Sequence, residues 1–274
     1  SPIMTTAPTP FRASDHSSDK KLHLLLAATG SVATIKIPLI AKSLLTTHNN
    51  CKKDSISIRI LLTPSACKFL NGASEEQPTV SSLRDIEGVE GVYTDGDEWG
   101  GDGEEEGEEQ GWGWKRDKPI LHIELRKWAD VMLVAPLSAN SLAGMVGGRA
   151  EGVVGSVLRA WDTTGRVDGV RWRDGGVLGL GGAIGKERVK RVFVAPAMNT
   201  AMWLHPVTGG QMRVLREEWG VKGGEGEGEG KGWVTVLEPM EKGLACGDVG
   251  VGAMMDWREI VRVIEEYAGL NGGK

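Results

Sequence analysis

Four short clusters of small polar residues are candidates for holding a phosphate group. Each cluster directly follows an apolar run, and together they span residues 29–33, 63–65, 136–141 and 196–199. Hydroxyl, glycine and amide residues at such places let backbone N–H groups and side-chain oxygens approach a phosphate at a helix N-terminus. Serine, threonine and asparagine also cap helices that bind nothing. Four clusters at matching positions favour a phosphate-bearing cofactor.

The common nucleotide-binding fingerprints are missing from the sequence. It contains neither G-x-G-x-x-G nor G-x-x-x-x-G-K-[ST]. These motifs are typical of dinucleotide and nucleoside-triphosphate sites. The pattern therefore favours a mononucleotide such as FMN.

One histidine and one cysteine could carry acid–base chemistry. His122 lies shortly before the third apolar run, where a lone histidine is also often a surface or capping residue. Cys246 is followed by three glycines within six residues, so we expect an accessible thiol in a mobile loop and not a strand. The other histidines and cysteines are interpreted as structural: His16, His23, His48, His205, Cys51 and Cys67.

The elements that must position these residues alternate between strand and helix. Apolar runs at 22–28, 56–62, 131–135, 191–195 and 233–237 predict strands, and the continuous ones suit a parallel sheet covered on both faces. Helical spacing predicts helices over 32–44, with a kink at Pro38, and over 141–150, 151–161 and 257–267. The pattern predicts an α/β fold: a doubly wound parallel sheet with helices on both faces.

Stretches rich in glycine and charge suggest the domain organisation. We predict a disordered tail over 1–20 and a single flavoprotein domain over 21–270, with flexible insertions at about 85–118, 164–190 and 223–232. The insertion at 164–190 is expected to loop outward. Residues 95–109 hold nine acids and no base, so the formal net charge of -5 comes from an insertion. This acidity argues against nonspecific nucleic-acid binding.

Composition also excludes some classes of protein. The longest apolar runs are far below the roughly 20 residues that cross a bilayer, and residues 1–21 lack the apolar region of a secretory signal. Three cysteines without a C-x-x-C pair suggest neither a disulfide framework nor a zinc site. We therefore expect no membrane association, no bound metal, and a reducing compartment, the cytoplasm.

Five motifs together resemble one family, the homo-oligomeric flavin-containing cysteine decarboxylases. They are TGSVATIK (29–36), HIELRKWADVMLVAPLSANSLA (122–143), RAWD (159–162), FVAPAMNTAMW (193–203) and LACGDVGVGAM (244–254). The sequence is most similar to the eukaryotic and fungal members that decarboxylate 4'-phosphopantothenoylcysteine to 4'-phosphopantetheine in coenzyme A biosynthesis. The resemblance implies a flavodoxin-like (Rossmann-like) fold, bound FMN, and a homotrimer with active sites at subunit interfaces.

The resemblance also implies roles for individual residues. His122 is expected to act near the flavin, Asn199 to hold the substrate carboxylate, and Cys246 to donate a proton late in the reaction. Further substrate contacts are expected from Met202, Leu244, Ala245 and Met254. The residues expected to surround FMN are Gly30, Ser31, Val32, Thr63, Pro64, Ser65, Ser138, Ala139, Asn140, Ser141 and Ala197.

The implied chemistry explains these residue types. A cysteine amide that loses CO₂ has no electron sink unless its CH₂–SH group is first oxidised by the flavin to a thioaldehyde, and the resulting enethiol is then reduced again. A thiol with an unperturbed pKa of about 8.5 can supply the final proton. An asparagine amide offers two N–H donors to a carboxylate without adding charge.

Other interpretations remain open at this point. A regulatory flavoprotein subunit that inhibits a Ser/Thr phosphatase is the main alternative, and a flavin prenyltransferase and a peptidyl-cysteine decarboxylase are further ones. The co-occurrence of His122, Asn199 and Cys246 in one chain favours the enzyme. One departure from the family pattern concerns substrate-loop closure: Gly243 stands where a basic residue is expected, with Lys242 before it.

Overall fold

A computed structural model describes most of the chain. It covers residues 11–19, 21–51, 56–74, 76–99, 116, 118–168, 172–173, 176–177, 189–221, 232–243 and 249–268. The strands are β1 (Leu22–Ala28), β2 (Ile56–Leu62), β3 (Val89–Thr94), β4 (Val131–Leu137), β5 (Trp172–Arg173), β6 (Gly176–Val177), β7 (Arg191–Pro196), β8 (Val234–Val236), β9 (Met240–Gly243) and β10 (Val249–Ala253). The α-helices are α1 (Ile37–Cys51), α2 (Pro64–Cys67), α3 (Val80–Arg84), α4 (Asp95–Trp99), α5 (Leu121–Trp128), α6 (Ala139–Val146), α7 (Gly152–Ala160), α8 (Thr200–Leu204), α9 (Pro206–Arg213) and α10 (Trp257–Tyr267).

Six of the described strands form one parallel sheet in the order β3-β2-β1-β4-β7-β8. Counted within this sheet the order is 3-2-1-4-5-6, and the direction of winding reverses between β1 and β4. This confirms the predicted doubly wound, flavodoxin-like (Rossmann-like) class. The five predicted strands are also confirmed, with ends that move by at most two residues.

The sheet is covered on both faces, as its continuous apolar strands require. Every residue of β1, β2 and β4 is buried. Leu24 and Leu26 of β1 pack in a cluster with α1 and α10, whereas Leu25 and Ala27 face a second cluster with α5 and α7. Because successive side chains of a strand point to opposite faces, one strand serves both cores.

The predicted kink at Pro38 is wrong. A 3₁₀ helix over Val32–Lys36 precedes α1, and Pro38 is the second residue of α1. A proline in the first turn of a helix costs no intrahelical hydrogen bond, because the N–H groups there have no partner in the helix. The helix predicted over 257–267 matches α10, and none of the described helices is long and apolar enough to span a bilayer.

Part of the predicted disordered tail is ordered. Residues 11–19 pack against the sheet, and residues 1–10 and 20 lie outside the described residues. Phe11 lies under the buried Arg59 guanidinium, which is 4.1 Å from its ring centroid, and Ala13 N donates to Glu124 Oε2 at 2.9 Å. These contacts give this segment a partner that its polar composition does not reveal.

The first predicted insertion, 85–118, begins with regular structure. Its residues 89–94 form β3, which pairs with β2, and residues 95–99 form α4. The prediction was wrong here because β3 is a half-exposed edge strand and α4 carries three of the nine acids, so both look like low-complexity sequence. Residues 100–115 and 117 lie outside the described part.

The start and end of the second predicted insertion turn inward, which corrects the expectation that it loops outward. Asp168 and Lys190 are both buried, and Asp168 binds Lys190 Nζ at 3.3 Å and an Arg126 guanidinium nitrogen at 3.0 Å. The two cationic partners offset the free-energy cost of burying the Asp168 carboxylate. The middle of this segment, apart from β5 and β6, and residues 223–231 of the third predicted insertion are outside the described residues.

Candidate functional site

A cleft of about 830 Å³ opens where the carboxyl ends of β1, β2, β4 and β7 meet, around the reversal of winding between β1 and β4. In open α/β sheets this edge is where ligands bind. All residues predicted to surround FMN lie on its wall: Gly30, Ser31, Val32, Thr63, Pro64, Ser65, Ser138, Ala139, Asn140, Ser141 and Ala197. Asn199, Met202 and Met254, which the resemblance assigns to substrate, lie on the same wall.

The polar residues at the four strand ends are helix caps. Ser31 Oγ accepts from Ala33 N at 3.4 Å, and the side-chain oxygens of Thr63, Ser138 and Asn199 cap α2, α6 and α8 in the same way. The capping interpretation that the sequence left open is therefore correct for all four. The capped N-termini face one cleft, so the same geometry gathers their backbone N–H groups around a single volume.

One threonine hydroxyl joins the two halves of the sheet beneath the cleft. Thr29 Oγ1 donates to Pro136 O at 2.9 Å and accepts from Ser138 N at 2.7 Å. Thr29 N also donates to Pro136 O at 3.1 Å. These bonds hold the end of β1 against the end of β4 and set the floor of the cleft.

Gly30 brings two strand-end loops into close contact. A Cβ atom at Gly30 would lie 2.5 Å from Ser65 Cβ, closer than real side chains approach. Only glycine therefore allows the loop after β1 to lie against the loop after β2. This proximity joins the first two phosphate-binding candidates into one surface.

Asn199 presents its amide to the cleft in a defined orientation. Its Oδ1 accepts from Met202 N at 2.8 Å, and the side chain lines the cleft. Because the oxygen is used by the cap, the Nδ2 group with its two N–H donors is the part available to a ligand. This is the orientation that a carboxylate ligand needs.

Residues 249–253 form strand β10, which pairs antiparallel with β9, so the prediction of a loop and not a strand is wrong for this part of the motif. Its glycines permit close docking and do not break the strand. At Gly252 the φ angle is +111°, a Cβ would lie 2.7 Å from Met198 O, and Met198 N donates to Gly252 O at 2.9 Å. At Gly250 a Cβ would collide with Thr200 Oγ1. The two glycines seat the hairpin on the segment that carries Asn199.

Three predicted site residues, Leu244, Ala245 and Cys246, lie outside the described residues. They belong to the connection between β9, which ends at Gly243, and β10. Met254 follows β10 directly and lines the cleft.

His122 is not on the cleft wall of its own chain. It lies in the first turn of α5, with 18% of its side chain exposed, and its Nδ1 is hydrogen-bonded to Glu98 Oε1. The structure of one chain therefore brings the predicted FMN residues and Asn199 together and leaves the predicted histidine apart from them.

The family assignment rests on a comparison of the whole chain with known proteins. A family model described as Flavoprotein matches residues 12–269. This chain belongs to the flavoprotein family. It is 33% identical over 241 residues to phosphopantothenoylcysteine decarboxylase of Arabidopsis thaliana, covering 88% of this chain and 82% of that protein.

Other relatives differ in length. The chain is 35% identical to a probable thymidylate synthase of Schizosaccharomyces pombe, and the match covers 89% of this chain but 29% of that protein. Two solved structures are similar to this member of the flavoprotein family with a TM-score of 0.59 and 31% identity each. One is a cysteine-to-serine variant of a PPC decarboxylase complexed with pantothenoylaminoethenethiol, covering 89% of this chain and 97% of that one. The other is the FMN binding protein AtHal3, covering 92% and 100%.

Sequence reasoning missed several charged residues of the flavoprotein cleft. Asp95 lines it and accepts from Val153 N at 2.9 Å, at the N-terminus of α7. A Cβ at Gly152, where φ is +65°, would collide with the Asp95 carboxylate. The available signal was the run at 89–94 ahead of an acidic helix start. The other charged residues on the wall are Lys36, Arg149, Glu151 and Asp256.

Cys67 lies close to the cleft, and its environment argues against a reactive thiol. Burial raises the pKa of Cys67, and the negative charge of Asp95 raises it further. A thiol held in the protonated form is a poor nucleophile. This agrees with the interpretation of Cys67 as a structural residue.

Proposed function

We propose that this protein is an FMN-dependent decarboxylase that converts 4'-phosphopantothenoylcysteine to 4'-phosphopantetheine. The observation that carries the proposal is the convergence of the predicted FMN residues and Asn199 on one cleft. The family match and the likeness to a phosphopantothenoylcysteine decarboxylase over most of both chains support it.

The cleft fits an FMN group by its chemistry. Its capped helix N-termini supply N–H donors and hydroxyls for a phosphate, and Gly30 leaves room for close backbone approach. Its volume of about 830 Å³ lies within the range of cofactor sites, roughly 300–1,000 Å³. When bound, FMN would supply the electron sink that a cysteine amide lacks.

The chain's own residues would then bind the substrate and manage protons. The Nδ2 donors of Asn199 would hold the substrate carboxylate until CO₂ leaves. Met202 and Met254 would contact the remainder of the substrate. Cys246 would donate the proton that completes the product, and His122 would manage a proton beside the flavin.

We also propose a homotrimer whose sites lie between subunits. His122 lies off the cleft wall of its own chain, so a neighbouring chain would have to bring it to the cofactor. Large apolar side chains are exposed on and near the cleft rim, as an interface requires: Val32, Met202, Leu204 and Val207. The cytoplasm remains the proposed location.

The first test is CO₂ release from synthetic 4'-phosphopantothenoylcysteine by the purified chain, with its visible spectrum recorded beforehand. A flavin spectrum with turnover would establish the enzyme. A flavin spectrum without turnover would favour the regulatory subunit or a chain that needs a second protein. No flavin, even after FMN is added back, would contradict the assignment of the cleft.

A further inference from the structure

A buried glutamate holds the predicted catalytic histidine. Glu98 lies on α4, only 1% of its side chain is exposed, and its Oε1 is hydrogen-bonded to His122 Nδ1. The two residues are 24 positions apart, so α4 and α5 must pack together to form the contact.

The second carboxylate oxygen of Glu98 indicates that this residue does more than fill space. Glu98 Oε2 is buried, and no other described residue hydrogen-bonds to it. A buried carboxylate oxygen without a partner is unfavourable. A glutamate kept in such a place calls for a role that an apolar side chain could not fill.

Other residues already hold α4 in position. Asp97 Oδ2 accepts from Thr94 N at 2.6 Å and from Thr94 Oγ1 at 2.8 Å at the start of the helix. Asp95 joins the same helix to Val153 N on α7. Glu98 is therefore not needed as an anchor for α4, and its hydrogen bond within the described structure is to His122.

We propose that Glu98 is a positioning residue for His122. Because a carboxylate accepts hydrogen bonds, the contact places a proton on Nδ1 and orients the ring. Nε2 has no hydrogen-bond partner among the described residues, so it is the nitrogen left to face the cofactor and substrate. The catalytic consequence rests on the proposed function, whereas the proton on Nδ1 does not.

The experiment compares the full-length wild-type protein with Glu98→Ala, Glu98→Gln and Glu90→Gln. Glu90 is the control because it is a glutamate on neighbouring β3 whose side chain is 25% exposed and whose partners are Lys21, Arg59 and His16, not His122. Imidazole ¹⁵N NMR reads the protonation of each ring nitrogen, and His122→Asn identifies the signal among five histidines. Flavin content, kcat and KM are measured on the same samples.

We expect Nδ1 of His122 to carry the proton in the wild type and in Glu90→Gln. In Glu98→Ala the tautomer should move to Nε2–H and kcat should fall at least about tenfold, while KM and flavin content change less than about twofold. Glu98→Gln should retain kcat in proportion to the Nδ1–H population that its amide oxygen preserves.

Two results would overturn the proposal. One is a wild-type His122 protonated on Nε2 alone, and the other is an active enzyme whose kcat is unchanged by Glu98→Ala. If the wild type binds no flavin or shows no turnover, the proposed function fails separately. The NMR contrast between Glu98→Ala and Glu90→Gln then still decides whether Glu98 sets the proton position of His122.

Discussion

At the scale of single residues, the shape of the cleft depends on the lack of a side chain at Gly30. We expect Gly30→Ala to weaken FMN binding by about tenfold or more, because the added Cβ would push the loop that carries Ser65 away. Flavin titration of the apoprotein measures this. Gly209→Ala is the control, since nothing lies within 4 Å of a Cβ there. Equal flavin affinity in both variants would contradict the close approach of the two loops.

Asp162 of the RAWD motif is a structural acid whose charge contributes to stability. Burial raises its pKa, but hydrogen bonds from Asp168 N, Val167 N and Thr164 outweigh this and hold the pKa of Asp162 well below its usual range. Its stabilising effect is therefore complete above the unfolded-state pKa of about 3.9 and is lost as the pH falls below it.

We expect Asp162→Asn to lower the free energy of unfolding at pH 7 by about 1–3 kcal/mol. Urea unfolding at pH 7 and at low pH measures the difference, which should shrink as the pH falls below about 4. Asp15→Asn, at an exposed position, should change little at either pH. A difference independent of pH would show that the charge of Asp162 is not what stabilises the turn.

At the scale of elements, the β9–β10 hairpin is seated by glycine. We expect Gly252→Ala to raise KM for the cysteine substrate severalfold while flavin content stays unchanged. The added Cβ would push the hairpin away from Met198 and so remove its support for the neighbouring Asn199. Steady-state kinetics and flavin absorbance separate the two effects. A variant that loses flavin together with substrate affinity would mean that the hairpin supports the cofactor site as well.

Sequence reasoning missed the elements whose composition resembles that of a loop. Strands β1, β2 and β4 are buried on both faces, so their apolar runs are unbroken and predictable. Edge strand β3 is half exposed and contains Gly91, and α4 follows it with an acidic sequence. Nothing in a local window distinguishes such acids from a solvated run until their partners, Val153 N and His122, are known.

The same limit applies to the candidate site. The strand-end residues could be predicted because the carboxyl ends of parallel strands converge by topology. The pairing of Asp168 with Lys190 and Arg126 could not, because it depends on a return of the chain from a glycine-rich segment. The glycines at 250 and 252 predict flexibility from sequence, whereas in the structure they let two backbones approach each other.

At the scale of the whole molecule, the proposed sharing of the site between subunits makes a quantitative prediction. His122→Asn and Cys246→Ser chains should each fail to form 4'-phosphopantetheine, yet co-refolded in equal amounts they should recover its formation. Random mixing places an intact histidine opposite an intact cysteine at about a quarter of the interfaces of a closed oligomer. The amount of 4'-phosphopantetheine formed by the mixture, with the mass from light scattering, measures this. No recovery from a mixed trimer would place both residues in one subunit.

The hydrogen bonds of the Thr29 hydroxyl also have a consequence for the order of folding. Its hydroxyl bonds to residues 107 and 109 positions further along the chain, so the floor of the cleft exists only after β4 has paired with β1. Contacts between such distant parts of a chain form slowly, since a long loop must close first. A nascent chain that has emerged only through β3 has no complete pocket. We therefore expect flavin capture during refolding only after β4 has paired with β1.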